Sequence, residues 1–84
     1  MYADKIISFG LKFNGRLDSA LLQAALDYVG FGEKVLAFET LCDHIYEYDI
    51  PISQSEYEIA INLALGMDLS SEENRFRCLK ELIK

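Results

Sequence analysis

With 84 residues, about half of them hydrophobic, one proline and a net charge of −6, the chain is expected to form one small globular domain. The charge argues against nucleic acid and anionic membrane as partners, because each phosphate contact uses a lysine or arginine and only eight are present. No apolar run reaches the roughly 18 residues of a membrane span, and Asp4, Lys5 and Lys12 interrupt the N-terminal MYADKIISFGLKFNG too often for a secretory signal, so the expected compartment is the cytoplasm.

The apolar residues recur at helical spacing throughout, with no sustained alternation of period two. A first helix is expected from Tyr2 to Phe13, its stripe built on Ile6, Phe9 and Phe13 and stopped by Asn14-Gly15. A second opens at Asp18 or Ser19, buries Leu22, Ala25, Leu26 and Val29, and ends around Phe31 between Gly30 and Gly32. A third runs from Glu33 to Tyr48 on Val35, Phe38, Leu41, Cys42 and Ile45, and Pro51 blocks its continuation. Ser53 with Glu56, or Ser55 with Glu58, makes a capping box for a fourth helix, whose YEIAINLALG is apolar on most of its circumference. That composition predicts the central, buried helix. Ser70 with Glu73 predicts a second capping box and a fifth helix reaching the C-terminus, with Phe76, Leu79, Leu82 and Ile83 inward. The expected fold is all-α, a compact single-domain bundle or array of about five short helices over residues 1–84. Cys42 and Cys78 fall on apolar faces and read as buried thiols rather than a disulfide.

The residues offer little catalytic chemistry. The single histidine, His44, stands beside Asp43, but neighbours on a helix point about 100° apart and do not pair. There is no CxxC, no HExxH and no phosphate-binding glycine loop. Counted from Asp43 as an EF-hand, the glycine position is Tyr48 and the closing glutamate position is Gln54. No catalytic residue, cofactor or metal is therefore expected, and the chain reads as a non-enzyme.

One feature stands out. Between Lys34 and Arg75 lie nine acids and no cation, while outside that span eight cations face five acids. Glu39, Asp43 and Glu47 follow at i, i+4 and i+8 on one helical face, a spacing at which like charges cost a few tenths of a kcal/mol per pair. An ordinary solvated face is one explanation. The interleaved Tyr46 and Tyr48 favour another, because tyrosine supplies contact area with few rotamers to freeze. The candidate partner-binding set is Glu39, Asp43, His44, Tyr46, Glu47, Tyr48, Asp49 and Glu56.

The words LAFETLCD, YEYDIPIS and the following EYE and ALGMDL, with GRLD and ALDY before them, resemble the MafI-type family of bacterial immunity proteins over about Asp4 to Leu82. The chain departs from that family at VGFGEKV, where a tryptophan is expected near the glutamate and none occurs. The resemblance implies a small cytoplasmic bacterial antitoxin that neutralises the C-terminal domain of a polymorphic or contact-dependent-inhibition toxin, often a nuclease such as an EndoU-type RNase. A nuclease cleft is basic, so a focused acidic surface could dock in it, or could cover an exosite. The expectation is a toxin-binding domain, a monomer or weak dimer alone, in which Asp43, Glu47, Asp49 and Glu56 meet lysine or arginine and Tyr46 and Tyr48 serve as anchors. The alternative is a small helical adaptor unconnected with a toxin.

Overall fold

The computed structural model describes residues 2–84 and contains α1 (Tyr2–Leu11), α2 (Ser19–Gly30), α3 (Lys34–Glu47), α4 (Gln54–Gly66) and α5 (Asn74–Arg77), the last running directly into a 3₁₀ helix, Cys78–Leu82. The fold is all-α. The only β-type pairs among the described residues are two isolated bridges, Asn14 with Leu17 and Ile52 with Ile83. No described helix is long and apolar enough to cross a membrane.

Local chemistry accounts for the boundaries. The α-helical ladder of α1 stops two residues before Phe13, where the N–H groups of Lys12, Phe13 and Asn14 switch to carbonyls three residues back, at 3.2, 2.9 and 3.1 Å. Phe13 stays buried across that tighter turn. Asp18 caps α2 by accepting from the N–H groups of Ala20 (3.0 Å) and Leu21 (3.3 Å). At α4 the capping box is the Ser53 one: Glu56 N–H donates to Ser53 Oγ at 3.0 Å and Ser53 N–H donates to Glu56 Oε1 at 2.9 Å.

Three helices end in the same device. After α2, α3 and α4 the residue beyond the C-cap turns left-handed, and the next N–H reaches back five residues: Glu33 to Tyr28 (2.9 Å), Ile50 to Ile45 (3.0 Å) and Leu69 to Ala64 (2.8 Å). Glycine occupies the left-handed position once, at Gly32 with φ 78°. Aspartate holds it twice, Asp49 at φ 54° and Asp68 at φ 62°, where neither the backbone nor the negative helix end favours an acid.

The centre of the molecule is α3, which contributes Ala37, Phe38, Leu41, Cys42 and Ile45 to the core and packs against α1, α2, α5 and the 3₁₀ helix. Phe38 lies between Phe9 (ring centroids 6.2 Å apart) and Phe76 (5.5 Å, stacked). This corrects the expectation that α4 is the buried helix. Only Ala60, Leu63 and Ala64 of α4 are buried, against α1, and Leu65 is 54% exposed. The C-terminal expectation also changes. Ser70 Oγ accepts from Glu72 N–H at 3.2 Å instead of capping at Glu73, and the helix starts only at Asn74. Phe76, Leu79 and Leu82, all buried, recur every three residues, and a 3₁₀ helix, at three residues per turn, keeps that row on one side where an α-helix would rotate it away.

Candidate protein-binding surface

The acids of α3 are less free than their sequence suggests. Arg75, delivered by α5, places Nη1 3.1 Å from Glu39 Oε1, and its Nε lies 3.7 Å from Asp43 Oδ1 and 3.9 Å from Glu73 Oε1. One guanidinium thus serves three carboxylates, two of them from the α3 row. The expected uncompensated face from Glu39 to Glu47 is corrected accordingly: a distant cation, Arg75, returns to its first two members.

Glu56 is likewise committed. Arg16, in the turn after α1, donates Nη1 to Glu56 Oε1 at 3.1 Å and Nη2 to Glu56 Oε2 at 2.6 Å. The same guanidinium donates to the carbonyls of Pro51 (3.0 Å) and Lys12 (2.8 Å) and lies 4.5 Å over the Phe13 ring. This hydrogen bond holds the Glu56 carboxyl below its ordinary pKa and raises that of Arg16. Its position at the α4 capping box makes Glu56 an architectural residue, not the outward contact expected from its charge.

What remains outward is the C-terminal end of α3. Tyr46 is 42% and Tyr48 52% exposed, and Glu47 and Asp49 are exposed beside them without an ion-pair partner among the described residues. A hollow of about 390 Å³ is lined by Asp43, Tyr46 and Glu47 of α3 and by Asn74, Arg75 and Cys78 of the C-terminal segment. Glu81 comes close enough that its charge, followed by Cys78 and, more weakly, Asp49, pushes the Tyr46 hydroxyl pKa up. His44 sits on the other flank, half-buried, its ring edge-on to Tyr48 at 6.3 Å. Its Nδ1 is buried with no hydrogen-bond partner.

Glu81 and Cys78 were absent from the expected set. The signal that could have found them is the three-residue period of the C-terminal segment. Once Phe76, Leu79 and Leu82 face inward at that period, Cys78 and Glu81 share a second row and Arg77 and Lys80 a third.

The surface rests on a fixed base. Between α3 and α4, Ile50 N–H is bound to Ile45, Pro51 carbonyl to Arg16, and Ile52 on both sides to the C-terminal residues: Ile52 N–H to Leu82 carbonyl and Lys84 N–H to Ile52 carbonyl, each 3.1 Å. Tyr48 and Asp49 therefore project from a tied segment of backbone. Among the described residues no three histidine, cysteine, aspartate or glutamate side chains gather as a metal site, and the cysteines are free thiols, Cys42 buried and Cys78 half-buried. Set against protein-family models, curated proteins and solved structures, the chain matches none of the three.

Proposed function

We propose that the chain is an immunity-type protein that acts by binding, not by catalysis, and that it neutralises a basic toxin domain, of the nuclease class, through the C-terminal end of α3. The observation that supports this reading is the pair Tyr46 and Tyr48, exposed beside Glu47 and Asp49, which have no ion-pair partner among the described residues, on a backbone held from three directions. A held surface loses little conformational entropy on binding, and exposed tyrosines ringed by acids suit a partner that presents lysine or arginine around an apolar spot. Arg16 neutralises Glu56, so that acid adds little to the attraction, whereas one Arg75 shared by Glu39, Asp43 and Glu73 offsets only part of their negative charge.

The test is co-expression with the toxin domain encoded beside the gene, scoring survival and co-purification, followed by association kinetics. Changing Glu47→Gln and Asp49→Asn together should slow association roughly tenfold at low salt and hardly at all at high salt. Tyr48→Ala should instead accelerate dissociation. A toxin domain bound with the same kinetics by all these variants would overturn the assignment of the surface. Absence of any protection would overturn the immunity reading.

A further inference from the structure

The start of α1 lies beside the end of α4, where the Tyr2 ring covers Gly66 so closely that a Cβ there would overlap it. The turn after α1 reaches the start of α4 through the Arg16–Glu56 pair. The two helices are therefore antiparallel, and an open groove of about 440 Å³ lies between them. On α1, Lys5, Ser8 and Lys12 line it at i, i+3 and i+7, on one helical face. The short Ser8 side chain leaves the middle of that face open between two long ones. The apolar part is made by the outer edges of core side chains, Phe9 and Leu63, with half-buried Ile59, and Asn62 adds an exposed amide from α4.

The cations stand toward the two ends of this face. The Lys5 ammonium lies 5.5 Å from the centroid of the Tyr2 ring, near the start of α1. Lys12 follows seven residues later, about 10 Å along the axis. Neither forms an ion pair among the described residues. Asp4 also lines the groove, in the first turn of α1, where the helix dipole favours an acid. Two lysines against one aspartate leave the groove locally positive in a molecule of net charge −6.

These charges select an elongated, acidic occupant. A compact anion with a single charge satisfies one lysine and leaves the other. A basic segment is repelled by both. An α-helix with acids at i and i+7 repeats the spacing of the lysines, and its apolar residues at i+3 and i+4 fall between them, over the apolar part of the groove. We infer that the α1–α4 groove docks an acidic amphipathic helix of a partner protein, with Lys5 and Lys12 each meeting a carboxylate. The site shares no residue with the candidate surface on α3.

Amide chemical shifts of the isotope-labelled full chain, followed during addition of a synthetic peptide, test the inference. The probe is an alanine-based helix of about 15 residues, with two glutamates seven positions apart and two leucines at i+3 and i+4 between them. Saturable shifts should centre on Ser8, Ile59 and Asn62. Lys5→Glu combined with Lys12→Glu, both at exposed positions, should weaken binding about tenfold or more at low salt. A peptide with lysines in place of its glutamates should bind that double variant and not the wild type. Lys5→Gln with Lys12→Gln, which should weaken binding several-fold, gives a separate reading should charge reversal disturb the fold. Placing the glutamates four positions apart should also weaken binding several-fold. Absence of saturable shifts, equal affinity for the wild type and both double variants, or binding of the lysine peptide by the wild type would each overturn the inference. So would the same shifts from a linear dicarboxylate of about ten carbons, roughly the lysine spacing, with none from the peptide. Toxin protection enters none of these readings, so they are independent of the proposed function.

Discussion

Removing the Glu56 carboxylate should loosen three elements at once. Its Oε1 accepts the Ser53 N–H of the capping box, and both oxygens take the Arg16 guanidinium, which in turn holds the Pro51 and Lys12 carbonyls. The capping-box bond is worth about 0.5–1 kcal/mol. The two-pronged ion pair adds about 1 kcal/mol, a figure kept low because the Arg16 side chain is 35% exposed although that of Glu56 is only 14%. Glu56→Ala is therefore expected to cost about 2 kcal/mol, or roughly 8–16 °C in Tm for a domain of this size. Glu56→Gln, which keeps an acceptor for Ser53, is expected to cost about 1 kcal/mol. Urea unfolding followed by circular dichroism, on wild type, Arg16→Ala, Glu56→Ala and the double variant, isolates the pair as a coupling energy of about 1 kcal/mol. The pH dependence supplies a second reading. Because the folded-state pKa of Glu56 lies below its ordinary value, its stabilisation is complete above the unfolded-state value of about 4.3 and is lost as pH falls through the folded one. The gap between wild type and Glu56→Gln should hold from neutral pH down to about 5 and close in stronger acid. Coupling under about 0.3 kcal/mol, or a gap indifferent to acid, would refute the assignment of Arg16 and Glu56 as the clamp of this corner.

Asp68→Gly should raise stability by about 0.5–1 kcal/mol in chemical denaturation, since it relieves a left-handed residue and removes an acid from a negative helix end. Phe38→Ala, which empties the site between Phe9 and Phe76, should cost about 3–5 kcal/mol and leave the chain largely unfolded at 37 °C by near-ultraviolet circular dichroism. Arg75→Gln should cost about 1 kcal/mol or less at low salt and still less at high salt, as the three carboxylates it serves are only partly desolvated. A thiol reagent should label Cys78 in the folded protein and Cys42 only after denaturation, because burial pushes the Cys42 thiol well up from its ordinary pKa.

The helices were legible because their punctuation is local. Asp18, the Ser53–Glu56 pair and the Gly30–Gly32 turn each act within a few residues, and the structure selects them from the short alternatives that the sequence offers, Asp18 over Ser19 and Ser53 over Ser55. Two other features are not local. The exposure of α4 follows from which helix takes the centre, and α3, with Phe38 and Leu41, wins that place over the more apolar α4 because it is the one packed by both ends of the chain. The charge of the candidate surface is a matter of three dimensions as well. Nine acids in a row along the chain suggest a single negative patch, yet Arg75 and Arg16 come back to Glu39, Asp43 and Glu56 from outside that stretch. Tyr46, Glu47, Tyr48 and Asp49 remained readable because they stay exposed at the surface. Their neighbour Glu81 required the helix type of the last segment, which only the spacing of its buried residues betrays.

The 3₁₀ helix near the C-terminus has an arithmetic consequence. From Phe76 to Leu82 the side chains sort into three files, Phe76, Leu79 and Leu82 toward the core, Cys78 and Glu81 beside Tyr46, and Arg77 and Lys80 as the third. Adding or deleting a single residue between Phe76 and Leu82 would turn everything beyond it by about a third of a revolution, carrying apolar side chains into water and charges into the interior. Length variation there should be survivable only in steps of three, so that one indel would erase the interior packing and the outward rows together.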